Sequence, residues 1–285
     1  MAQTILVTGA TGTVGNEVIK QLLEKGVFIR AGVRNPAKAR GYGWPDVDIV
    51  AFDYNKPETF STALTGVDKV FLVAPPMATN APDMMIPMIH KARELGVKGI
   101  VNLSAMGVEQ DDNIPLRQVE IALEKSGLDY TLLRPNWFMQ NCHTFMLESI
   151  KEQQAIYVPA ADSKTAFIDV RDIAAVAVEA LVTDDHNQKA YTLTGDDAFD
   201  HYHMAEVLSN VSGKTINYHA IDDDALRSGM KAQNLPESAI EYFSMLYNYV
   251  RKGVYAVVTP EVESVLGRKP IHFEQYAEDY KDYWS

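Results

Sequence analysis

The sequence predicts an α/β fold: a doubly wound parallel sheet covered by helices on both faces, with a smaller α/β lobe from the carboxy-terminal half. Three observations predict it. The chain opens on a short β-branched run, Thr4-Ile5-Leu6-Val7-Thr8, that passes directly into TGATGTVG, Thr8 to Gly15. Strand-like and helix-like stretches then alternate as far as residue 133, the order that yields right-handed crossovers and parallel pairing. From Asn136 the alternation loosens. The 285 residues suffice for one large or two modest domains. The expected division is 1–135 for a first domain and 136–285 for a lobe packed on it, with some strands returning to the main sheet.

The first helix is read from Val14, Val18, Ile19, Leu22 and Leu23, which recur on one helical face. Strand, glycine turn and helix in this order form the context in which a dinucleotide fingerprint counts as evidence. Gly9 permits the tight turn, Gly12 lets a pyrophosphate approach the backbone, and Gly15 lets the helix pack on the strand. The unpaired N–H groups and positive dipole end of the helix favour phosphate. Thr11, Thr13 and Val14 join the glycines as expected cofactor contacts, and the sheet is expected to be of the Rossmann type.

Residues 28–33, 47–52, 67–73, 99–103 and 130–133 read as the second to sixth strands. Residues 57–64, 81–95 and 115–125 read as the intervening helices. Pro57 suits a first helical turn, and Gly96 a helix stop. The expected strand order is 3-2-1-4-5-6, with ligand bound beyond the carboxyl ends. Those ends are Gly9, Arg34, Asp53, Ala74, Ser104 and Arg134-Pro135. In the second half, helices are expected at 138–151, 172–181, 203–212, 225–230 and 237–252. Short strands are expected near 167–170, 190–194 and 216–219. The cleft between the two domains is the expected substrate site.

A net charge of −12 and a pI near 5.0 argue against nucleic-acid binding, which needs a basic stripe. The single cysteine, Cys142, allows no intramolecular disulfide and suits a cytoplasmic location; it reads as a buried thiol. The longest apolar candidate, Ile173 to Val182, is interrupted by Glu179, so no membrane span is expected. His143, His201 and His203 lack the further placed ligands of a metal set, and no metal is expected. A monomer or homodimer is expected.

The end of the second strand separates the two nicotinamide cofactors. An acidic residue there would bind a free ribose 2′-hydroxyl. The residue is Arg34, with Lys38 and Arg40 nearby, and arginine pairs with phosphate bidentately. NADP(H) is therefore the expected cofactor. Asp53 and Tyr54 fall where the adenine would lie, although Asp53 equally suits a turn. Ala74-Pro75-Pro76 suits a wall beside the cofactor and equally a plain turn.

Ordinary short-chain dehydrogenases place a Tyr-x-x-x-Lys pair on the helix after the fifth strand and a serine on that strand. Ser104 stands at the right point, but IPLRQVEIALEKSG, from Ile114, contains no tyrosine. The chain resembles the NmrA-like branch of the atypical short-chain dehydrogenases. The resemblance is carried by TGATGTVG at Thr8, VRNPAKA at Val33, FDYNKPETF at Phe52, ALEKSGLDYTLLRPNWFMQN at Ala122 to Asn141 and VLGRKPIHFEQYA at Val265. It implies a relation to NADPH-dependent quinone and triphenylmethane dye reductases, in which the Tyr/Lys pair is also absent. Arg117 departs from the His or Lys common in related sequences; being permanently charged, it is expected only to orient a ribose or an anionic intermediate.

Pro135, Asn136, Trp137 and Phe138 are expected to line the nicotinamide, with Trp137 and Phe138 suiting either a stack on a planar aromatic acceptor or ordinary packing. Ser104 and Trp137 are the candidate catalytic residues. Met77, Met84, Met85, Met88, Met106 and Met139 suit either an adaptable pocket or plain core. Hydride transfer to a small conjugated acceptor then rests on orientation and exclusion of water. The resemblance also implies an alternative, a regulator that binds the dinucleotide and partner proteins without turnover.

Overall fold

Ile5, Leu6 and Val7 have no exposed surface, as befits a strand buried on both faces. The computed structural model, which describes residues 3–284, places them in β1 (Thr4–Val7). The chain continues through α1 (Thr13–Leu22), β2 (Phe28–Val33), α2 (Pro36–Ala39), β3 (Val47–Ala51), α3 (Glu58–Leu64), β4 (Lys69–Val73) and α4 (Ala81–Glu94). Then follow β5 (Gly99–Leu103), α5 (Pro115–Glu124), β6 (Asp129–Pro135), α6 (Asn141–Thr144), α7 (Leu147–Gln153), β7 (Ala155–Val158), α8 (Val170–Val182) and β8 (Lys189–Leu193). The remainder is α9 (His201–Ser212), β9 (Asn217–Ala220), α10 (Asp223–Ala232), α11 (Glu237–Arg251), α12 (Glu261–Leu266) and α13 (Phe273–Asp279).

Seven strands form one sheet in the order β3-β2-β1-β4-β5-β6-β8, and all pair in parallel. The expected order of six is present, extended by β8. On one face, Phe60, Leu64, Met84, Met85, Met88, Val119 and Leu123 pack over Leu6, Val70, Leu72, Ile100 and Leu132. Met84, Met85 and Met88 are therefore core rather than pocket lining.

The chain divides into two units. The first runs through Pro135 and takes in Val170–Leu193; the second holds Asn136–Asp169 and the residues from Thr194 onward. Past 135/136 the chain thus returns once to the first unit, over Val170–Leu193. The reason lies in α8, where Ile173, Ala174, Val176, Ala177, Val178, Ala180 and Leu181 are all buried. A helix apolar on most of its circumference needs cover on several sides, and α8 finds it against α1 and the sheet. Buried Lys69 seals its end. The Lys69 ammonium donates to the carbonyls of Ala180 and Thr183 and pairs with Asp184 at 2.9 Å, a cation at the negative end of a helix.

In the second unit, β7 and β9 pair in parallel. The continuous helix expected over 138–151 is broken into α6 and α7. Ile168 N donates to Trp137 O and Met139 N to Ile168 O, each at 2.9 Å, which holds the backbone extended at Phe138. Cys142 is buried as expected, its Sγ 3.5 Å from Met204 Sδ, and burial pushes its thiol up to about 12.

His201 opens α9 at 3% exposure, edge-on to Phe167 and tilted against Tyr218. Burial pulls its imidazole down to about 4 from the ordinary 6.5. Between those values the unfolded chain takes up a proton that the folded chain refuses. Stability is therefore expected to fall by up to about 3 kcal/mol as pH drops from about 6.5 to about 4, and to change no further from this source below that. Urea unfolding across this range checks the slope; His201→Leu removes this contribution.

Candidate dinucleotide site

The site begins where β1 ends. The buried Thr8 hydroxyl donates to Phe71 O and accepts from Val73 N, each at 3.0 Å, tying the turn to the end of β4. Gly9 then adopts φ +57°, and a Cβ on it would stand 2.5 Å from Val73 Cγ1. Gly12 N closes the turn on Gly9 O at 2.8 Å. A Cβ on Gly15 would stand 2.3 Å from Gly9 O. No other residue fits either position without moving backbone or β4.

The turn opens into α1 with Asn16 N donating to Gly12 O at 2.9 Å. The N–H groups of Thr13, Val14 and Gly15 precede that bond and have no acceptor inside the helix. No acidic residue lies in the first turn, and Gly9, Thr11, Gly12 and Thr13 are exposed. Open backbone, orphan donors and the positive helix end together suit a dinucleotide pyrophosphate.

Beyond β2, Arg34, Lys38 and Arg40 are exposed, and no ion pair with a described residue holds any of them. The short α2 was not anticipated; Asn35 caps it, its Oδ1 accepting from Lys38 N at 3.1 Å. The Asn-Pro step at 35–36 was the available signal. Past α2, the Tyr42 hydroxyl donates to Thr11 O at 3.1 Å, and Trp44 Nε1 donates to Asn16 Oδ1 at 3.0 Å. Neither aromatic was anticipated.

Beyond β3, Asp53 Oδ1 accepts from Asn55 N at 3.0 Å, so a turn role is occupied. Tyr54, expected at the adenine, donates its hydroxyl to Val73 O at 2.9 Å and approaches Thr8 Oγ1 at 3.4 Å. Its ring meets Phe52 edge-on at 4.9 Å. Tyr54 thus props the Thr8–Val73 junction. Burial raises its pKa, so it stays a neutral donor. Beyond β4, Ala74 and Pro75 are half-buried and Pro76 is exposed.

Ser104 is buried at the end of β5, its N–H donating to Leu133 O at 2.7 Å. Its Oγ has no partner among the described residues, and neither has the side-chain amide of Asn102, which has no exposed surface. Residues two apart on a strand share a face. An unpartnered buried polar group costs about 1–3 kcal/mol, so this pair keeps unused hydrogen-bonding capacity at the end of β5. Asn102 was missed; its signal was one polar residue inside the apolar run GIVNL.

Arg117, expected to orient a ribose or an anion, lies among carboxylates. It donates to Glu120 at 2.9 Å and Glu124 at 2.7 Å and pairs with Asp112 at 3.3 Å; Glu124 foremost raises its already high pKa. Glu120 has no exposed surface and also takes Arg134 bidentately, at 2.9 and 2.7 Å. Pro135 is buried, and its carbonyl accepts from Met106 N at 3.1 Å.

In the second unit, Asn136 is buried. Its Nδ2 donates to Tyr255 O at 2.9 Å and its Oδ1 accepts from Trp137 N at 2.8 Å, so its amide braces that unit's own loop. Trp137 is half-buried, with its ring centroid 5.1 Å from Tyr247 and 6.2 Å from Tyr255. Phe138 is half-buried in the bridge to Ile168. Among the described residues, Asp196, Asp197 and His272 bring ligand-type atoms within 4.8 Å of one another. His272 Nδ1 and Asp196 Oδ1 pair at 3.1 Å.

The NmrA-like family model matches residues 1–278. The NAD(P)H azoreductase of Xenophilus azovorans is 35% identical over 277 residues, covering 96% of this chain and 96% of that protein. The Escherichia coli NADPH-dependent quinone oxidoreductase QOR2, solved with NADPH, aligns at TM-score 0.85 and 27% identity, covering 96% of this chain and 99% of that one. The Citrobacter sp. triphenylmethane reductase complexed with NADP(H) aligns at TM-score 0.83 and 26% identity, covering 97% and 99%.

Proposed function

Because the chain belongs to the NmrA-like family, we propose that it is an NADPH-dependent reductase passing hydride to a planar conjugated acceptor, a quinone or an azo or triarylmethane dye. The observation that carries the reading is the glycine turn, whose two crowded positions accept only glycine and whose helix presents free N–H donors. Relatives that reduce azo compounds, quinones and dyes by their names support the acceptor class.

When bound, the nicotinamide dinucleotide supplies the hydride. The chain's own residues do the rest. The N–H groups of Thr13, Val14 and Gly15 hold the pyrophosphate. Arg34 takes the 2′-phosphate as a two-pronged donor, with the Lys38 ammonium beside it. Ser104 Oγ holds a polar group of the bound ligand at the end of β5. Trp137 offers an aromatic face to the acceptor. The Tyr-x-x-x-Lys relay has no counterpart on α5, which carries no tyrosine, and Arg117 stays charged among its carboxylates. The proton that completes reduction comes from water, which suits an acceptor whose reduced form is stabilised by conjugation.

Purified protein is expected to consume NADPH steadily with at least one of a panel of quinones, azo dyes and triarylmethane dyes, followed by loss of nicotinamide absorbance. Tight NADPH binding without oxidation by any of them would support the non-enzymatic regulator instead. Cofactor choice has its own check. Arg34→Asp is expected to weaken NADPH roughly 30- to 100-fold, through lost charge-assisted bonds and added repulsion, with NADH little affected. Unchanged NADPH affinity contradicts the phosphate role.

A further inference from the structure

The segment between α2 and β3 reads Arg40-Gly41-Tyr42-Gly43-Trp44. It lies in the same unit as the glycine turn and touches it twice. Tyr42 donates its hydroxyl to Thr11 O at 3.1 Å. Trp44 donates its indole N–H to Asn16 Oδ1 at 3.0 Å. The two rings stack on each other, centroids 4.8 Å apart and planes 30° from parallel. Tyr42 nevertheless remains 45% exposed. An aromatic left this open contributes little core burial, and that little does not explain two hydrogen bonds aimed at one turn and its helix.

The partners matter. Thr11 sits between Gly9 and Gly12, and its peptide sets how the following N–H groups are aimed. Asn16 donates the first intrahelical bond of α1, so the Trp44 contact fixes the helix end that carries the orphan donors. Glycines on both sides of Tyr42 leave open space where a Cβ would stand. A helical turn over residues 40–42, closed by Gly43 N donating to Arg40 O at 3.2 Å, shapes the segment's own backbone; the stack and the two side-chain hydrogen bonds are what join it to the glycine turn.

We propose that Tyr42, braced by Trp44, is a positioning residue that locks the glycine turn in its phosphate-binding shape. This rests on the dinucleotide reading given above and adds the element that keeps the pyrophosphate donors aligned. Because Tyr42 acts through the peptide of Thr11 and not on the 2′-phosphate, its loss weakens NADPH and NADH by the same factor. That separates it from Arg34, whose effect is confined to NADPH.

The test is titration of both dinucleotides into wild type, Tyr42→Phe and Tyr42→Leu. Tyr42→Phe keeps the ring and removes one hydrogen bond; it is expected to raise both dissociation constants roughly five- to tenfold. Tyr42→Leu also removes the stack and is expected to raise them further. In a turnover assay the KM for NADPH follows, while kcat at saturating NADPH stays within twofold. Thermal unfolding of Tyr42→Phe without ligand is expected to stay close to wild type, since one partly exposed hydrogen bond contributes only about 1 kcal/mol. Wild-type-like affinities for both cofactors in Tyr42→Phe and Tyr42→Leu overturn the proposal and leave the dinucleotide reading intact. Loss confined to NADPH also overturns it, by placing the residue at the 2′-phosphate. A wild type that binds neither cofactor removes the underlying reading and the proposal together.

Discussion

Gly15→Ala is expected to weaken NADPH binding by roughly a hundredfold while leaving the secondary structure of the protein in place. The added Cβ would stand 2.3 Å from Gly9 O, 2.8 Å from Gly9 C and 3.2 Å from Ala10 Cα. All three are backbone atoms, so no side chain can swing aside. The first turn of α1 and the glycine turn must separate, at a cost of about 1–3 kcal/mol of overpacking strain. That separation displaces the N–H groups of Thr13, Val14 and Gly15 from their common target, and three aligned donors to a charged group are worth more than the strain itself. Titration of NADPH, with circular dichroism as the folding control, reads the result. Undiminished affinity in a folded Gly15→Ala variant contradicts the placement of the pyrophosphate.

Glu120→Ala is expected to be the most destabilising single change in the first unit, costing about 3–5 kcal/mol in urea unfolding. Glu120 is fully buried and receives three short bonds from two arginines. Arg134 keeps only 13% of its side chain exposed, and its other carboxylate contact, Glu109, lies at 3.7 Å. Removing Glu120 therefore leaves a buried cation nearly unpaired beside the end of β6. Arg117→Ala is expected to cost far less, about 1 kcal/mol, because Glu120 retains Arg134. The contrast separates this network from that of Arg227, Asp223 and Glu241, whose carboxylates are substantially exposed. A Glu120→Ala variant within 1 kcal/mol of wild type would show that the network does not hold α5 to the sheet.

Much of the first unit was legible in the residues. A β-branched run, a glycine turn and a periodic apolar helix leave few arrangements open, and the alternation that follows dictates parallel pairing. What escaped is contact information that periodicity does not carry. The stretch 190–194 reads as a strand, but nothing local says it pairs with β6; its partner is decided by α8, which must be covered on several sides. Tyr54 stands at the right strand end for a cofactor contact, yet its hydroxyl is drawn to the free carbonyl of Val73, which appears only once β4 and β1 lie side by side. The role of Arg117 was readable, since Glu120 and Glu124 follow at three and seven residues, the same helical face. Asn102 and the Tyr42–Trp44 pair share a different obscurity, because their meaning depends on what is absent around one and on a turn thirty residues before the other.

The central claim is that a phosphorylated nicotinamide dinucleotide seats on the turn from Gly9 to Gly15. Isothermal titration of NADPH into the purified wild-type chain tests it most directly. The account predicts saturable binding, one molecule per chain, tighter for NADPH than for NADH. Absence of heat and of saturation at millimolar concentrations of both NADPH and NADP, in folded protein, contradicts it.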